Sequence, residues 1–599
     1  MTELDLAAEF PTPDRAEWIA AVEKVLRGRP FDKVLVGSTR DGLDIQPLYT
    51  ADDAMPTPVP AAASPTRLTH GWDVRQVHEG GSAGCALGIV AELERGVTSI
   101  ELRSPADGWT TERLDAAIAG VLLDLAPICL APHADLDAAR ALHAVIAARG
   151  DLETTGSWLG LDPMGATSRG EHADLAACAA LAAELAPTLP AGRTITVDSS
   201  RYGDAGATEA EELGWSIASA VAVLRALESA GMSIEEAANT IAFRIGIGAD
   251  QFMTIAVLRA LRVAWARVLE VCGVPADAAP AVVQAVTGAA MYSRRDPWVN
   301  MLRGTTAALA AGVGGADAVT VLPFDDAVGQ SDDFARRVAR NTQLLLVEES
   351  HLARVVDPAA GSWFVESLTG RLATAAWSVF QGIEADGGME AALESGRIQD
   401  SLDASWAARL DALGTRRQSI TGVSEFPDLD ETLLTRPAPA TSTAGFPVRR
   451  LAAPFEELRD AADRHLADTG ARPTVHLATL HDLATHTARS AWIANLLAVG
   501  GIAADGGDTD GATSPIEAEA RFVDSGCTVA VICSSDGVYA ERAAATATAL
   551  KEAGALHVVL AGAPGDLRAE LDAAGVDEYW HVGVDVLDAL TRLHATLGL

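Results

Sequence analysis

Apolar positions near the start of the chain recur at helical spacing. Asp14 can cap a helix over 15–26, with Trp18, Ile19, Val22, Val25 and Leu26 on one stripe. Asp41-Gly42 marks a turn between two short extended pieces, and Pro56-Thr57-Pro58-Val59-Pro60 reads as a stiff linker. So small a stripe does not fold alone. Residues 1–65 are therefore expected to form an arm lying on its own chain or on a partner. From 66 to 400, β-prone runs alternate with longer helical ones. Ser99-Ile100-Glu101-Leu102, Thr194-Ile195-Thr196-Val197 and Ala318-Val319-Thr320-Val321-Leu322 read as strands. Residues 209–230 and 250–271 read as helices, stopping just before Gly231 and Gly273. Such alternation predicts a parallel α/β architecture, with a (β/α)8 TIM-type barrel as the best fit. Asp357-Pro358 and Gly361 are expected to turn the chain into a strand at Trp363-Phe364-Val365.

Residues 401–469 read as a linker region, from the Thr, Ser, Pro and Ala content of 435–443. Beyond it, 474–480 is a short apolar strand, followed by a loop and then a helix over 481–494. Further strands are expected at 529–532 and 557–560, with helices between them. Residues 470–599 thus predict an open, flavodoxin-like doubly wound domain.

A length of 599 residues agrees with roughly two to four domains. The formal net charge of −37 opposes binding to nucleic-acid phosphates or an anionic membrane surface. The acidic N-terminus (Glu3, Asp5, Glu9) does not resemble a signal peptide, and no apolar run is long enough for a convincing membrane span. Cys85, Cys129, Cys178, Cys272, Cys527 and Cys533 form no C-x-x-C pair and read as reduced thiols of a cytoplasmic protein. His476, His481 and His486 recur at regular spacing, but they fall on a strand, its end and a loop or helix start, so no metal site is predicted.

Several stretches carry a family signature. They are Asp41-Gly42-Leu43-Asp44-Ile45-Gln46-Pro47-Leu48-Tyr49, Arg244-Ile245-Gly246-Ile247-Gly248-Ala249-Asp250-Gln251-Phe252-Met253 and Leu258-Arg259. Arg340-Asn341-Thr342-Gln343, Asp357-Pro358-Ala359-Ala360-Gly361-Ser362-Trp363 and Pro454-Phe455-Glu456-Glu457-Leu458-Arg459 follow in the same order. In these motifs the chain resembles the methylmalonyl-CoA mutase family. The resemblance implies a barrel for an acyl-CoA, a cobalamin-binding domain, and radical isomerisation with adenosylcobalamin.

The motifs that carry that chemistry are altered. Where the family has a tyrosine in R-Q-Y, this chain has Arg75-Gln76-Val77, with His78 one residue further on. The family histidine for the thioester carbonyl falls on Arg201, if matched on Ala205-Gly206-Ala207, or on Gly203, if matched on Tyr202. In the family's D-x-H-x-x-G loop, whose histidine takes the lower face of cobalt, one register gives Ala484, His486 and Arg489; the ungapped one gives Leu483, Thr485 and Ala488. The S-x-L turn against the cofactor's nucleotide tail is Ser534-Ser535-Asp536, and the later glycine pair is Ala561-Gly562. These changes resemble those of a small, non-catalytic subunit. They imply no catalytic, cofactor-binding or metal residue on this chain, and adenosylcobalamin on a large catalytic partner in a heterodimer. The alternatives are an active mutase for another acyl-CoA, with His78 and His486 in new roles, and a non-enzymatic scaffold or regulator.

Overall fold

The computed structural model describes residues 14–53, 71–81, 85–438 and 445–599. The proline run 56–60 and residues 439–443 lie outside them. The first helix, Arg15–Leu26, starts at a capping box in which Asp14 accepts from the Glu17 backbone and Glu17 reaches back to Asp14. Its stripe is only partly covered: Leu26 is buried, while Ile19 and Val25 are 37% and 76% exposed. Asp41-Gly42 does turn the chain between two short strands, β1 (Gly37–Ser38) and β2 (Asp44–Ile45), which pair antiparallel. This hairpin lies on its own barrel. Arg40 pairs with Glu209 at 2.8 Å, and Arg371 donates to the Asp44 carbonyl at 2.6 Å.

Eight parallel strands close the barrel: β3 (Asp73–Glu79), β4 (Ser99–Arg103), β5 (Ile128–Leu130), β6 (Trp158–Leu161), β7 (Arg193–Asp198), β8 (Ile241–Ile247), β9 (Val282–Thr287) and β10 (Ala318–Thr320). Strand β10 pairs with both β9 and β3. The long helices Glu209–Ser229 and Gln251–Val271 begin at Thr208 and Asp250, whose side chains accept from the third backbone N–H of each helix.

The strand expected at Trp363 is instead the start of the helix Trp363–Ala385. Ser362 caps it by accepting from the Val365 backbone N–H. Val365, Leu368, Leu372, Ala373 and Ala376 are buried along one face. Three aromatic or β-branched residues suggest a strand locally, but a helical stripe buried over many turns outweighs that weak preference. Several of the family-like motifs hold this region together. Arg259 clamps Asp357 at 2.5 Å and Glu366 at 2.6 Å, and Arg340 pairs with Glu92.

The second sheet contains β11 (Thr474–Thr479), β12 (Ala503–Asp505), β13 (Val529–Cys533), β14 (His557–Ala561) and β15 (Glu578–Trp580). All its pairs are parallel, in the order β12-β11-β13-β14-β15, which is the flavodoxin-like order. The stretch between barrel and sheet contains the helices Arg397–Gly414 and Ala453–Thr469. Phe455 and Leu413 join the core beneath the sheet. Glu456 is fully buried and accepts from the Arg294 backbone N–H, the Arg294 side chain at 3.1 Å and Arg450 at 2.7 Å, which ties the two halves together. Arg436 binds Asp325 and Asp332 on the barrel.

Candidate functional site

Two places correspond to the altered motifs: the barrel interior and the C-terminal edge of the second sheet. The interior is charged and compensated. Arg75 on β3 donates to Ser99 at 3.0 Å and to Gln284 at 3.1 Å, and stacks 4.2 Å over the Trp158 ring. Gln284 donates to Glu101 at 2.6 Å and to Thr320 at 3.0 Å. Glu101 also faces Arg244 at 3.4 Å, and Arg244 contacts Asp198 at 3.1 Å and Ser200 at 2.8 Å. Burial alone would raise the Asp198 carboxyl, but Arg244 and Ser200 outweigh it and hold the group below its usual range. Strands β3, β4, β7, β8, β9 and β10 are thus linked across the barrel by paired side chains, with Arg244 Nε left without a hydrogen-bond partner among the described residues. Removing one charge from such a set strands its partner.

Side chains alternate along a strand, so Arg75 pointing inward places Val77 inward and Gln76 and His78 outward. Gln76 accordingly donates to the Arg336 carbonyl. The His78 ring lies beside the helix Cys85–Leu93, 3.9 Å from where a Gly88 Cβ would be. Burial pushes its imidazole below the ordinary value, against the pull of Glu92. Geometry therefore directs His78 away from the barrel interior. Arg201 lies on the short helix Ser200–Asp204 after β7. Gly203 in the same turn packs on Glu212: a Cβ there would be 2.5 Å from its Oε2, so a side chain would have to displace that carboxylate. Tyr202 is buried against Trp215 at 5.3 Å between ring centroids.

At the second sheet, Asp482 caps the helix Leu483–Val499 by accepting from the Thr485 N–H at 3.0 Å. This places Ala484, His486 and Arg489 within the helix. Ala484 is exposed. His486 is fully buried, with Nε2 3.0 Å from the Thr509 carbonyl and Nδ1 3.3 Å from Ser490 Oγ. A carbonyl only accepts, so Nε2 carries the proton, while Nδ1 lies beside the Ser490 hydroxyl, which also reaches the Thr487 carbonyl at 3.4 Å. Nε2, committed as a donor to the Thr509 carbonyl, has no lone pair free for a metal. His476 instead binds Asp505 at 2.7 Å, and His481 is exposed in a left-handed turn with φ +73°. Among the described residues no group of three His, Cys, Asp or Glu could hold a metal ion.

Arg489 crosses the end of the sheet. It donates to the Ser534 carbonyl at 2.7 Å, pairs with Asp536, and lies 4.8 Å over the Tyr539 ring. A Cβ on Gly562 would be 3.3 Å from the guanidinium carbon. The Tyr539 hydroxyl accepts from the Ser534 N–H at 2.8 Å and reaches the Ala561 carbonyl at 2.8 Å, securing the floor below. The residues here do not fit a cobalamin. The imidazole is engaged at both nitrogens, and position 484 offers no carboxylate to orient it.

A model of the family described as methylmalonyl-CoA mutase matches residues 173–468. The methylmalonyl-CoA mutase small subunit of Streptomyces virginiae is 47% identical over 100% of this chain and 98% of its own length. The chain belongs to the methylmalonyl-CoA mutase family. The small subunits of Propionibacterium freudenreichii subsp. shermanii and Porphyromonas gingivalis are 39% and 32% identical, covering 100% and 99% of this chain and 97% and 99% of their own. This similarity runs end to end, through the arm, the barrel and the second sheet.

Sequence reasoning found the altered positions but not their partners. Thr509, Ser490 and the barrel set of Arg75, Glu101, Arg244 and Gln284 were missed. The available signal was charge inside apolar β runs, such as Glu101 between Ile100 and Leu102.

Proposed function

We propose that this chain is the small subunit of a heterodimeric, adenosylcobalamin-dependent mutase that interconverts methylmalonyl-CoA and succinyl-CoA. In this reading it is catalytically silent and supports a large chain that holds cofactor and substrate. The observation that carries the reading is His486, buried with both ring nitrogens engaged, in a chain similar end to end to proteins named small subunits. The cross-linked barrel interior and the outward His78 support it. They also weigh against the two histidines on which an active mutase for another acyl-CoA would rely. We assign 1–65 to partner contact, 66–400 to the barrel, 401–469 to the connection and 470–599 to a cobalamin-domain-like support. No helix among the described residues is long and apolar enough to cross a membrane, and the scattered cysteines fit a cytoplasmic setting.

The test is turnover of methylmalonyl-CoA with added adenosylcobalamin. The isolated chain is expected to show none, and a complex with the large chain to be active. Succinyl-CoA formed by the isolated chain would overturn the reading.

A further inference from the structure

Two departures from the family pattern, far apart in sequence, are one contact in space. In the register that places His486 at the ligand histidine, Arg489 stands where the pattern has the glycine of the ligand loop, and Asp536 where it has the leucine beside the nucleotide tail; their side chains pair directly. The guanidinium lies between the helix Leu483–Val499 and the ends of β13 and β14. It is held by the Ser534 carbonyl and Asp536, stacks on Tyr539 and packs on Gly562, where φ of +151° and the missing Cβ leave room for it.

We propose that Arg489 is a built-in plug: it fills the cleft that would receive a cobalamin nucleotide tail, and so determines that this domain refuses the cofactor. This rests on the reading of the chain as one that carries no corrin. The plug acts independently of the missing ligand. A tail entering the cleft would have to lift a charged planar group off an aromatic face and away from a carbonyl and a carboxylate at once. It would then leave the Ser534 carbonyl without the guanidinium donor that now serves it. Buried polar groups stripped of partners disfavour such an exchange. A glycine at 489 has no side chain to lift. Asp536 is largely exposed, so its part is to hold the guanidinium in position; the stack and the Ser534 contact do the filling.

The experiment uses the full chain as parent, Arg489→Gly, Asp536→Leu and the double variant, with hydroxocobalamin and cobinamide, which lacks the nucleotide tail, as probes. Corrin retained after equilibrium dialysis is read by absorbance, with far-UV circular dichroism confirming the fold. The parent is expected to retain neither probe. The double variant is expected to retain hydroxocobalamin about tenfold or more better than the parent, with no matching gain for cobinamide. Asp536→Leu alone is expected to gain less. Should glycine unfold the helix, Arg489→Ala opens the same space at lower helix cost. A folded variant with no gain for hydroxocobalamin, or an equal gain for cobinamide, overturns the plug and leaves the proposed function standing. A parent that itself retains hydroxocobalamin overturns both.

Discussion

His486 and Glu212 show how a single buried group sets what its surroundings can do. His486 satisfies the Thr509 carbonyl and Ser490, so its side chain is structural. Replacing it with alanine leaves that carbonyl buried without a donor. His486→Ala is expected to lower unfolding free energy by about 1–3 kcal/mol in urea titrations, while turnover of the assembled heterodimer per complex stays unchanged. Glu212 is buried beside Gly203, and its Oε1 accepts from the Gly246 N–H at 2.8 Å and from Ser199 at 3.3 Å. Burial raises its carboxyl to about 8. The folded state therefore binds a proton that the unfolded chain has released above the ordinary carboxylate range. The stability this contributes is complete below the unfolded value and is lost as pH rises toward about 8, by at most about 1.4 kcal/mol per pH unit. Glu212→Gln keeps the accepting oxygen and removes the proton. It is expected to flatten stability against pH between about 5 and 8 in parallel denaturation curves, and to be more stable than the parent at the alkaline end.

Among the elements, the helix Arg15–Leu26 is only partly covered by its own chain. A capping box and an Arg15–Asp53 ion pair fix its position, yet Ile19 and Val25 face outward. The hairpin after it is anchored through Arg40 and Arg371, so the helix is presented from a secured base. We expect Ile19→Asp with Val25→Asp to weaken association with the large chain by about tenfold or more in sedimentation or calorimetry. The isolated chain should unfold within about 0.5 kcal/mol of the parent, because no core contact is lost. The helix Trp363–Ala385 teaches a different lesson. Trp363-Phe364-Val365 resembles a strand over three residues. Ser362 as cap and buried Val365, Leu368, Leu372 and Ala376 make it a helix, and that longer pattern was also present in the sequence.

Across the whole molecule, Glu456 joins barrel and second sheet. It is fully buried against Arg294 and Arg450, with Asp460 and Asp463 completing the set on Arg295. Glu456→Ala removes the acceptor shared by the Arg294 N–H, the Arg294 side chain and Arg450, and is expected to cost about 1–3 kcal/mol. In calorimetry we expect the parent's transition to split into separate barrel and sheet transitions. A variant that melts at the parent's temperature in a single step would show that the junction is held elsewhere.

What the sequence determined by itself was local or compositional. The helix cap at Asp14, the alternation of strands and helices, and the flavodoxin-like succession at the end of the chain all follow from neighbours in sequence. The departures from the family pattern were read there too, at Ala484 and Arg489 in one register or Leu483 and Ala488 in the other, and at Asp536. The tertiary structure alone decided what those residues touch. His78 points out of the barrel because strand pleat and the inward set of Arg75 leave it no other side. His486 loses its free nitrogen to Thr509, 23 positions away, and Arg489 meets Asp536 across 47 positions. Such contacts depend on sheet order and helix placement, which bring distant side chains within hydrogen-bond range only after the fold has formed.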